Sequence, residues 1–266
     1  MSITESAIRN HEKWFPGHKS TLKVTDPEFI ELFDNFAFDE VLAHGHLDDR
    51  TRLMTILAAL IAAQALGEFK VVAGAALNLG VTPVEVKEIV YQAVPYCGVG
   101  KVFDFLHAAN EVLAKRGVPL PLAGQSTTSP ATRFEQGLAL SKAIFGEMID
   151  TMHREAPADQ QHINRFLSGN CFGDTYTRTG LGVKTRELLT FSMLLALGGC
   201  EPQLKGHIQG NLGVGNGRAT LMAVITQLLP FVGYPRTLNA MRCLNEVVPE
   251  SQQESVCKIQ ERRPRS

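Results

Sequence analysis

One stretch of the chain gathers four side chains that are suited to acid–base or nucleophilic chemistry. The stretch is Thr185–Leu212, and its reactive groups are Glu187, Cys200, Gln203 and His207. At about 100° per residue around a helix axis, Cys200 and His207 lie only ~20° apart, on one face with Gln203. Their neighbours are mostly apolar. Because burying ionisable groups is costly, this combination indicates a functional site.

The elements that must position these groups are two helices joined by a tight break. A long apolar helix precedes Gly198–Gly199, and a second helix follows. Glu187 lies about 12 residues before the break, roughly 18 Å of helix, and His207 about 8 residues after it, roughly 12 Å. An ideal hairpin therefore leaves the two residues ~6 Å out of level. Direct contact requires helix tilt, long side chains or a bridging water.

The composition excludes several classes of partner. Lys and Arg number 26 against 27 Asp and Glu, a formal net charge of −1 in 266 residues. This balance predicts no binding to nucleic acid or to an anionic membrane surface. The N-terminus is polar and lacks the apolar segment of a signal peptide. The longest apolar run, 53–66, has only 14 residues and predicts a buried helix rather than a membrane span.

The cysteines favour a cytoplasmic protein with free thiols. Their number is odd, they lie far apart, and no C-x-x-C motif occurs. No Cys and His have the spacing of zinc ligands, so we predict no metal site. His44–Gly45–His46 is followed by Asp48 and Asp49, but ligands crowded into one loop favour a solvated turn. The cysteines are Cys97, Cys171, Cys200, Cys243 and Cys257.

The sequence predicts an all-α protein in which one helical unit occurs twice. Helical segments dominate, and no strand alternation or hairpin turn is found. Short motifs recur at an offset that drifts only from 133 to 135 residues. We therefore predict two copies that pack face to face about a pseudo-twofold axis. The matching motifs are Thr51-Arg52 with Thr185-Arg186, Asn78–Val81 with Asn211–Val214, Gln92–Gly98 with Gln227–Gly233, and Asn110–Val112 with Asn245–Val247.

These signals divide the chain into five parts. Within the first repeat, Asp48 or Asp49 begins a helix, and Thr82–Glu85 is a capping box. The helix that follows the capping box is predicted to end before Pro95. The five parts are an N-terminal arm (1–27), a first helical repeat (28–115), a Pro-, Gly-, Ser- and Thr-rich linker (116–132), a second helical repeat (133–248) and a polar tail (249–266).

The two copies differ where the reactive groups lie. The second copy is therefore predicted to supply the chemistry, while the first can still supply a wall of the site. An arginine occupies the same position in both copies, Arg52 in the first and Arg186 in the second. We therefore interpret both as structural ion-pair partners. The aligned positions are Glu187 with Leu53, His207 with Gly74, and Cys200 near Gly67.

Several motifs resemble the carboxymuconolactone decarboxylase family in its fused two-repeat form. The resemblance implies two tandem helical repeats of the alkyl hydroperoxidase D-like type. It also implies a homo-oligomer, with a trimer of two-repeat chains favoured. The first repeat carries weaker versions of the motifs. The motifs are Thr185–Leu188, Gly199–Glu201, His207 with the following Gly213, and Pro230–Pro235 before Asn239.

The resemblance implies different activities for two branches of the family. Proteins similar to alkyl hydroperoxidase D need a C-x-x-C dithiol with a Glu and a His as proton relay. Here Gln203 stands at the second cysteine position, so that dithiol cannot form. The other branch is similar to the 4-carboxymuconolactone decarboxylases of aromatic-compound breakdown, which use no metal or organic cofactor.

We therefore expect a cofactor-independent decarboxylase that acts on a small carboxylated lactone or keto acid. Its partner would be a small-molecule carboxylic acid. Two alternatives stay open. One is a peroxidase-like antioxidant oxidoreductase that uses Cys200, and the other is a non-catalytic helical assembly protein.

Each candidate residue of the reactive stretch has a chemical interpretation and a plainer one. We predict His207 as the proton donor and Glu187 as its orienting partner, although either side chain could be structural. Cys200 begins a helix, where the dipole lowers a thiol pKa, or it is simply a small buried cysteine. Gln203 is predicted to contact the substrate.

Tyr234 and Arg236 are two further candidate substrate-binding residues. They follow Pro230 at a helix junction, where Arg236 could pair with a substrate carboxylate. Lys101 occupies the equivalent place in the first copy, which favours a surface charge instead.

Overall fold

The computed structural model of the protein describes residues 2–18 and 20–250. Within these ranges the chain forms α-helices and two π-helical segments, Phe36–Glu40 and Leu167–Tyr176, and no strand. The predicted all-α class is confirmed. Residues 251–266, which include most of the predicted tail and Cys257, lie outside the described residues. The α-helices are α1 (Glu5–Trp14), α2 (Leu22–Thr25), α3 (Pro27–Asn35), α4 (Asp49–Ala62), α5 (Leu66–Asn78), α6 (Pro83–Cys97), α7 (Val99–Lys115), α8 (Arg133–Phe145), α9 (Met148–Glu155), α10 (Gln161–Phe166), α11 (Val183–Leu197), α12 (Glu201–Gly213), α13 (Arg218–Val232) and α14 (Tyr234–Val247).

The internal repeat of the sequence is also a repeat of the architecture. In each copy a short helix, α3 or α10, continues into a π-helical segment and is followed by four helices. Thus α4 to α7 correspond in order to α11 to α14. The packing is reciprocal, because α6 of the first copy packs on α11 while α13 of the second packs on α4.

The two copies meet through α4 and α11, which pack against each other at the centre of the molecule. Both helices are apolar on all sides, and nearly every residue of 52–62 and 186–196 is buried. Arg186 is fully buried and donates to Glu88 Oε2 over 2.8 Å, while Arg52 pairs with Asp49 over 2.6 Å. The structural ion-pair interpretation of both arginines is confirmed.

The helix ends follow the predicted start signals but not the predicted stop at Pro95. The Asp48 side chain accepts from Thr51 N, and Thr82 and Glu85 form a complete capping box. However, α6 runs on to Cys97 with Pro95 inside its last turn. The proline removes one hydrogen bond, from residue 95 to the carbonyl of residue 91, and the helix ends two residues further on. This continuation sets the position of the residue after Pro95, Tyr96.

The segments outside the matched motifs also belong to the packed body. Helix α1 packs on α3 and the first π-helical segment, and its Ala7 and Trp14 are buried in the main core. Helix α8 packs in the same way on the second π-helical segment. The linker 116–132 is held to the second repeat, where Thr179 N donates to Gln125 O over 3.0 Å. No described helix is long and apolar enough to cross a membrane.

Candidate active site

The predicted hairpin forms, and it brings Glu187 and His207 into direct contact. Gly198 and Gly199 have φ of 62° and 69°, a backbone conformation that favours glycine and makes the tight break between α11 and α12. His207 Nδ1 lies 2.9 Å from Glu187 Oε2. The helix offset of ~6 Å expected for an ideal hairpin is therefore closed by the two side chains without a bridging water.

Two neighbours on α12 allow this contact. A Cβ at Gly210 would lie 2.7 Å from Glu187 Oε2 and 2.6 Å from the Phe145 ring, so the absence of a side chain leaves room for the carboxylate. Asn211 Nδ2 donates to Glu187 O over 3.0 Å and to His207 O over 2.7 Å. One amide thus joins both helices next to the pair.

The carboxylate of Glu187 is in an unusual electrostatic position. The side chain is fully buried, and only Oε2 has a hydrogen-bond partner, while Oε1 has none among the described residues. A buried, half-satisfied carboxylate is costly, and such groups concentrate at functional sites. No Lys or Arg of the described chain forms a salt bridge with it, so the imidazole of His207 is its side-chain partner.

A chain of buried hydroxyl and thiol groups lies beside this carboxylate. Tyr96 Oη donates to Tyr176 Oη over 3.1 Å and accepts from Cys171 Sγ over 3.5 Å. Tyr176 Oη in turn hydrogen-bonds to Thr190 Oγ1. Burial, followed by neighbouring acidic groups that include Glu187, raises the pKa of both tyrosines, and burial raises the pKa of Cys171 to about 12. These groups therefore stay neutral and serve as hydrogen-bonding partners.

A cavity of about 410 Å³ opens beside His207. Its lining is mostly apolar, and it contains no Asp, Glu, Lys or Arg. Because Nδ1 is bonded to Glu187, Nε2 is the imidazole nitrogen available to a molecule in the cavity. Cys200 and Gln203 line the same cavity, as predicted for a shared helix face. The lining residues are Pro95, Tyr96, Phe145, Met148, Ile149, Met152, Leu167, Cys171, Phe172, Leu194, Leu197, Cys200, Gln203, Gly206 and His207.

Both repeats build this cavity. Pro95 and Tyr96 come from the first repeat, so the prediction that the first copy can supply a wall holds for the geometry. The Tyr96 ring meets the His207 ring edge-on with centroids 5.6 Å apart, and the Phe145 ring does so at 5.4 Å. The imidazole is thereby held between two aromatic rings from different parts of the chain.

The expectation of a lowered thiol pKa for Cys200 is wrong. Cys200 occupies the N-cap position of α12, but its Sγ donates to Leu194 O over 3.3 Å and makes no capping hydrogen bond. The thiol is therefore turned back toward α11. Burial, with the added charge of Glu201, raises its pKa.

Tyr234 and Arg236 do not reach the cavity. Tyr234 is 61% exposed at the start of α14. Arg236 Nη1 donates to Leu197 O at the end of α11, beside Gly198. An arginine at a helix C-terminus is stabilised by the helix dipole, so this guanidinium has a structural partner outside the cavity.

The described residues contain no group of His, Cys, Asp and Glu side chains that could hold a metal ion. His44 and His46 lie in a turn near Ala223, away from His207. The four described cysteines are free thiols.

Sequence reasoning missed four residues around the dyad, of which two had a visible signal. Asn211 belongs to a recurring motif, and so does Tyr96, whose counterpart Phe231 lacks the hydroxyl. Gly210 lies three residues after His207, but only the structure shows that it leaves room for the Glu187 carboxylate. Phe145 had no signal, because it lies far from the hairpin in sequence.

The comparison with protein families decides the family of this chain. The model of the carboxymuconolactone decarboxylase family matches residues 27–111 and 162–246. The chain belongs to this family. The two matched ranges coincide closely with the two architectural repeats, so each copy is a carboxymuconolactone decarboxylase domain, and Glu187 and His207 lie in the second.

Two curated relatives match parts of the chain. It is 31% identical over 116 residues to a 4-carboxymuconolactone decarboxylase of Acinetobacter baylyi. The alignment covers 43% of this chain and 86% of the relative. It is 33% identical over 84 residues to an uncharacterised 15.0 kDa protein of Paracoccus denitrificans, which covers 31% of this chain and 63% of the relative. The relationship to a named decarboxylase is therefore distant.

Proposed function

We propose that this protein is a cofactor-independent decarboxylase of a small carboxylated lactone or keto acid. The observation that carries the proposal is the contact of His207 with the buried Glu187, 2.9 Å apart, in the wall of an apolar cavity. Membership of the carboxymuconolactone decarboxylase family and the distant similarity to a 4-carboxymuconolactone decarboxylase support it.

The apolar lining supports the bond-breaking step. When the bond to the carboxylate breaks, its electron pair passes into a conjugated carbonyl of the substrate and CO2 leaves. The carboxylate loses its charge in this step, so an environment that solvates it poorly lowers the barrier. The described residues that line the cavity include no Lys or Arg, so they offer no ion pair to a second acidic group. We therefore infer a substrate with one carboxylate.

His207 supplies the proton that completes the reaction. In the protonated ring, Nε2–H would point to the substrate while Nδ1–H donates to Glu187. Glu187 fixes the orientation of the ring and stabilises its positive charge. The proton passes from Nε2 to the carbanion carbon, and the ring recovers a proton from solvent. Gln203, which lines the same cavity, can donate its amide to the enolate oxygen that forms.

The test is turnover of a panel of small β-keto acids and carboxylated lactones, measured as CO2 release and as deuterium incorporation from D2O. We expect His207→Ala to fold normally and to lose about 10²–10⁴-fold in rate. His107→Ala, which changes an exposed histidine on α7, is the matched control and should retain full activity. Equal turnover by wild type and His207→Ala would reject the assignment.

The two alternative functions have less support. A peroxidatic Cys200 needs a thiolate, whereas burial raises the pKa of this thiol. Peroxide-dependent sulfenic acid at Cys200 that disappears in Cys200→Ser would favour the oxidoreductase.

A non-catalytic assembly protein does not account for a buried carboxylate with one oxygen unpaired among the described residues. The non-catalytic alternative would gain support if no acid of the panel raised the melting temperature of the protein.

A further inference from the structure

A second cavity, away from His207, has a charged lining. It encloses about 420 Å³ between α6, α7 and the linker, and residues 120–125 form one side of it. We call it the linker groove and define it by Lys87, Tyr91, Arg178 and 120–125. The linker is held in place here, because Thr127 Oγ1 donates to Thr177 O over 3.0 Å in addition to the bond from Thr179 N to Gln125 O.

One carboxylate at the base of the linker groove serves two guanidinium groups. Arg178 donates to Glu88 through Nε and Nη2 at 2.9–3.0 Å, and Arg186 donates to the same carboxylate over 2.8 Å. The side chain of Glu88 is only 1% exposed. Arg178 Nη1 has no hydrogen bond to any described residue, so one edge of this guanidinium stays available.

Lys87 is the second cation that lines the linker groove, beside Arg178. Its Nζ donates to the amide oxygen of Asn110 over 2.8 Å, and it forms no salt bridge with a described carboxylate. Burial accordingly lowers the pKa of Lys87 with no ion pair to oppose it. Lys87 and Arg178 line the groove with Glu88, and that carboxylate is also paired with the buried Arg186, so Lys87 has no counter-ion among the described residues and its charge is uncompensated.

One aromatic ring contacts both cations that line the cavity. Lys87 Nζ and the Arg178 guanidinium each lie 5.2 Å from the centre of the Tyr91 ring. These cation–π contacts hold both long side chains against the wall of the groove. The ring and Leu120 provide an apolar surface beside the positive charge.

The equivalent groove in the other half of the molecule lacks all of these features. It encloses about 460 Å³ and is lined by neutral residues at the matching positions of α13, with His44 near the place of Arg178. The packing of the two repeats therefore does not require the cations or the tyrosine. The neutral replacements are Met222 for Lys87, Ala223 for Glu88 and Thr226 for Tyr91.

We propose that the linker groove binds a small organic carboxylate. The carboxylate accepts from Lys87 Nζ and Arg178 Nη1, and the apolar part of the acid lies on Tyr91 and Leu120. A charge-assisted contact of this kind stabilises the bound acid, and the bound acid offsets the unpaired charge of Lys87. This binding site is independent of the decarboxylation proposed at His207.

The test uses 4-bromobenzoate with the full-length protein. Titration calorimetry measures its affinity, and the anomalous scattering of bromine in soaked crystals shows where it binds. We expect bromine density between Tyr91 and the linker, and a dissociation constant that Lys87→Gln raises at least about tenfold. Lys87→Arg keeps the charge and should keep most of the binding. Lys101→Gln, an exposed lysine of α7 outside the groove, should leave the affinity unchanged.

Several outcomes would overturn the proposal. Bromine density only in the His207 cavity, or no saturable binding, would show that the linker groove is not a carboxylate site. An unchanged affinity in Lys87→Gln, with an unchanged melting temperature, would do the same. Inorganic phosphate that binds as tightly as 4-bromobenzoate would indicate a general anion site rather than one for an organic acid.

Discussion

At the scale of single residues, the molecule contains two buried glutamates with opposite surroundings. Glu88 is paired with two arginines and has both oxygens satisfied. Glu187 has a histidine on one oxygen and no hydrogen-bond partner among the described residues on the other. A fully paired buried carboxylate contributes to holding the fold, whereas a half-paired one is a cost that the fold sustains. The two residues should therefore respond differently to the same substitution.

We expect Glu187→Gln to lower turnover strongly while the free energy of unfolding stays within about 1 kcal/mol of wild type or rises, because a neutral amide is easier to bury. Glu88→Gln is the control, and we expect it to lose about 3 kcal/mol or more because it leaves Arg186 buried without a counter-ion. Denaturant unfolding measures both. If Glu187→Gln were the more destabilised variant, Glu187 would be structural.

The reactivity of Cys200 follows from its raised pKa. The thiolate is the reactive form, so a raised pKa means a smaller thiolate fraction at neutral pH than in a free cysteine. We expect iodoacetamide to label Cys200 more slowly than glutathione at neutral pH, and faster as the pH rises above the ordinary thiol pKa. Mass spectrometry of the labelled peptide measures this, and the unfolded protein provides the positive control. If Cys200 were labelled faster than glutathione, its thiol pKa would not be raised, and this prediction would be contradicted.

At the scale of elements, α12 is shaped by two glycines with different surroundings. A Cβ at Gly210 would meet both Glu187 and Phe145, whereas a Cβ at Gly206 would meet nothing within 4 Å. Both glycines lie in a helix, where alanine is intrinsically favoured by up to about 1 kcal/mol. The two positions therefore differ in the free space that an added methyl group would find.

We expect Gly206→Ala to raise the free energy of unfolding by about 0.5–1 kcal/mol. Gly210→Ala should lower it by about 1–3 kcal/mol, because the added methyl group forces the Glu187 carboxylate and the Phe145 ring apart. Decarboxylase turnover should fall with it, since the His207–Glu187 contact cannot keep its length. Equal stability of the two variants would show that α12 shifts freely.

At the scale of the whole molecule, apolar side chains are exposed at matching positions of the two repeats. Each of them is more than half exposed. A contiguous exposed apolar patch usually marks an interface, and a patch repeated in both copies can be buried by a closed ring of repeats. The matching residues are Phe29 and Leu32 with Ile163 and Phe166, and Val99 and Phe103 with Tyr234 and Leu238.

We propose that the chain forms a homotrimer, in which six repeats make a ring. Light scattering after size exclusion should give the mass of three chains. We expect Phe103→Asp to dissociate the assembly, because a charge would be buried at an interface. Val71→Asp is the control, since Val71 is also exposed but its counterpart in the second repeat, Leu204, is buried. A wild-type monomer at micromolar concentration would contradict the proposed trimer.

The sequence by itself determined the architecture of this protein and the location of its reactive groups. The motifs at an offset of 133–135 residues and the glycine break at Gly198–Gly199 are local patterns, and local patterns specify helices, turns and their order. The comparison of Glu187 and His207 with Leu53 and Gly74 also needs only the sequence. It assigns the candidate chemistry to the second repeat.

Only the tertiary structure decided what surrounds those groups. Tyr96 and Phe145 reach His207 from distant parts of the chain, and no periodicity within the hairpin encodes them. The direction of the Cys200 thiol and its raised pKa depend on packing, which its position at the helix start does not reveal. The contact of Arg236 with the C-terminal end of α11, outside the cavity, likewise depends on packing. Helical spacing fixes which residues share a face, but the neighbours of that face are set by long-range packing.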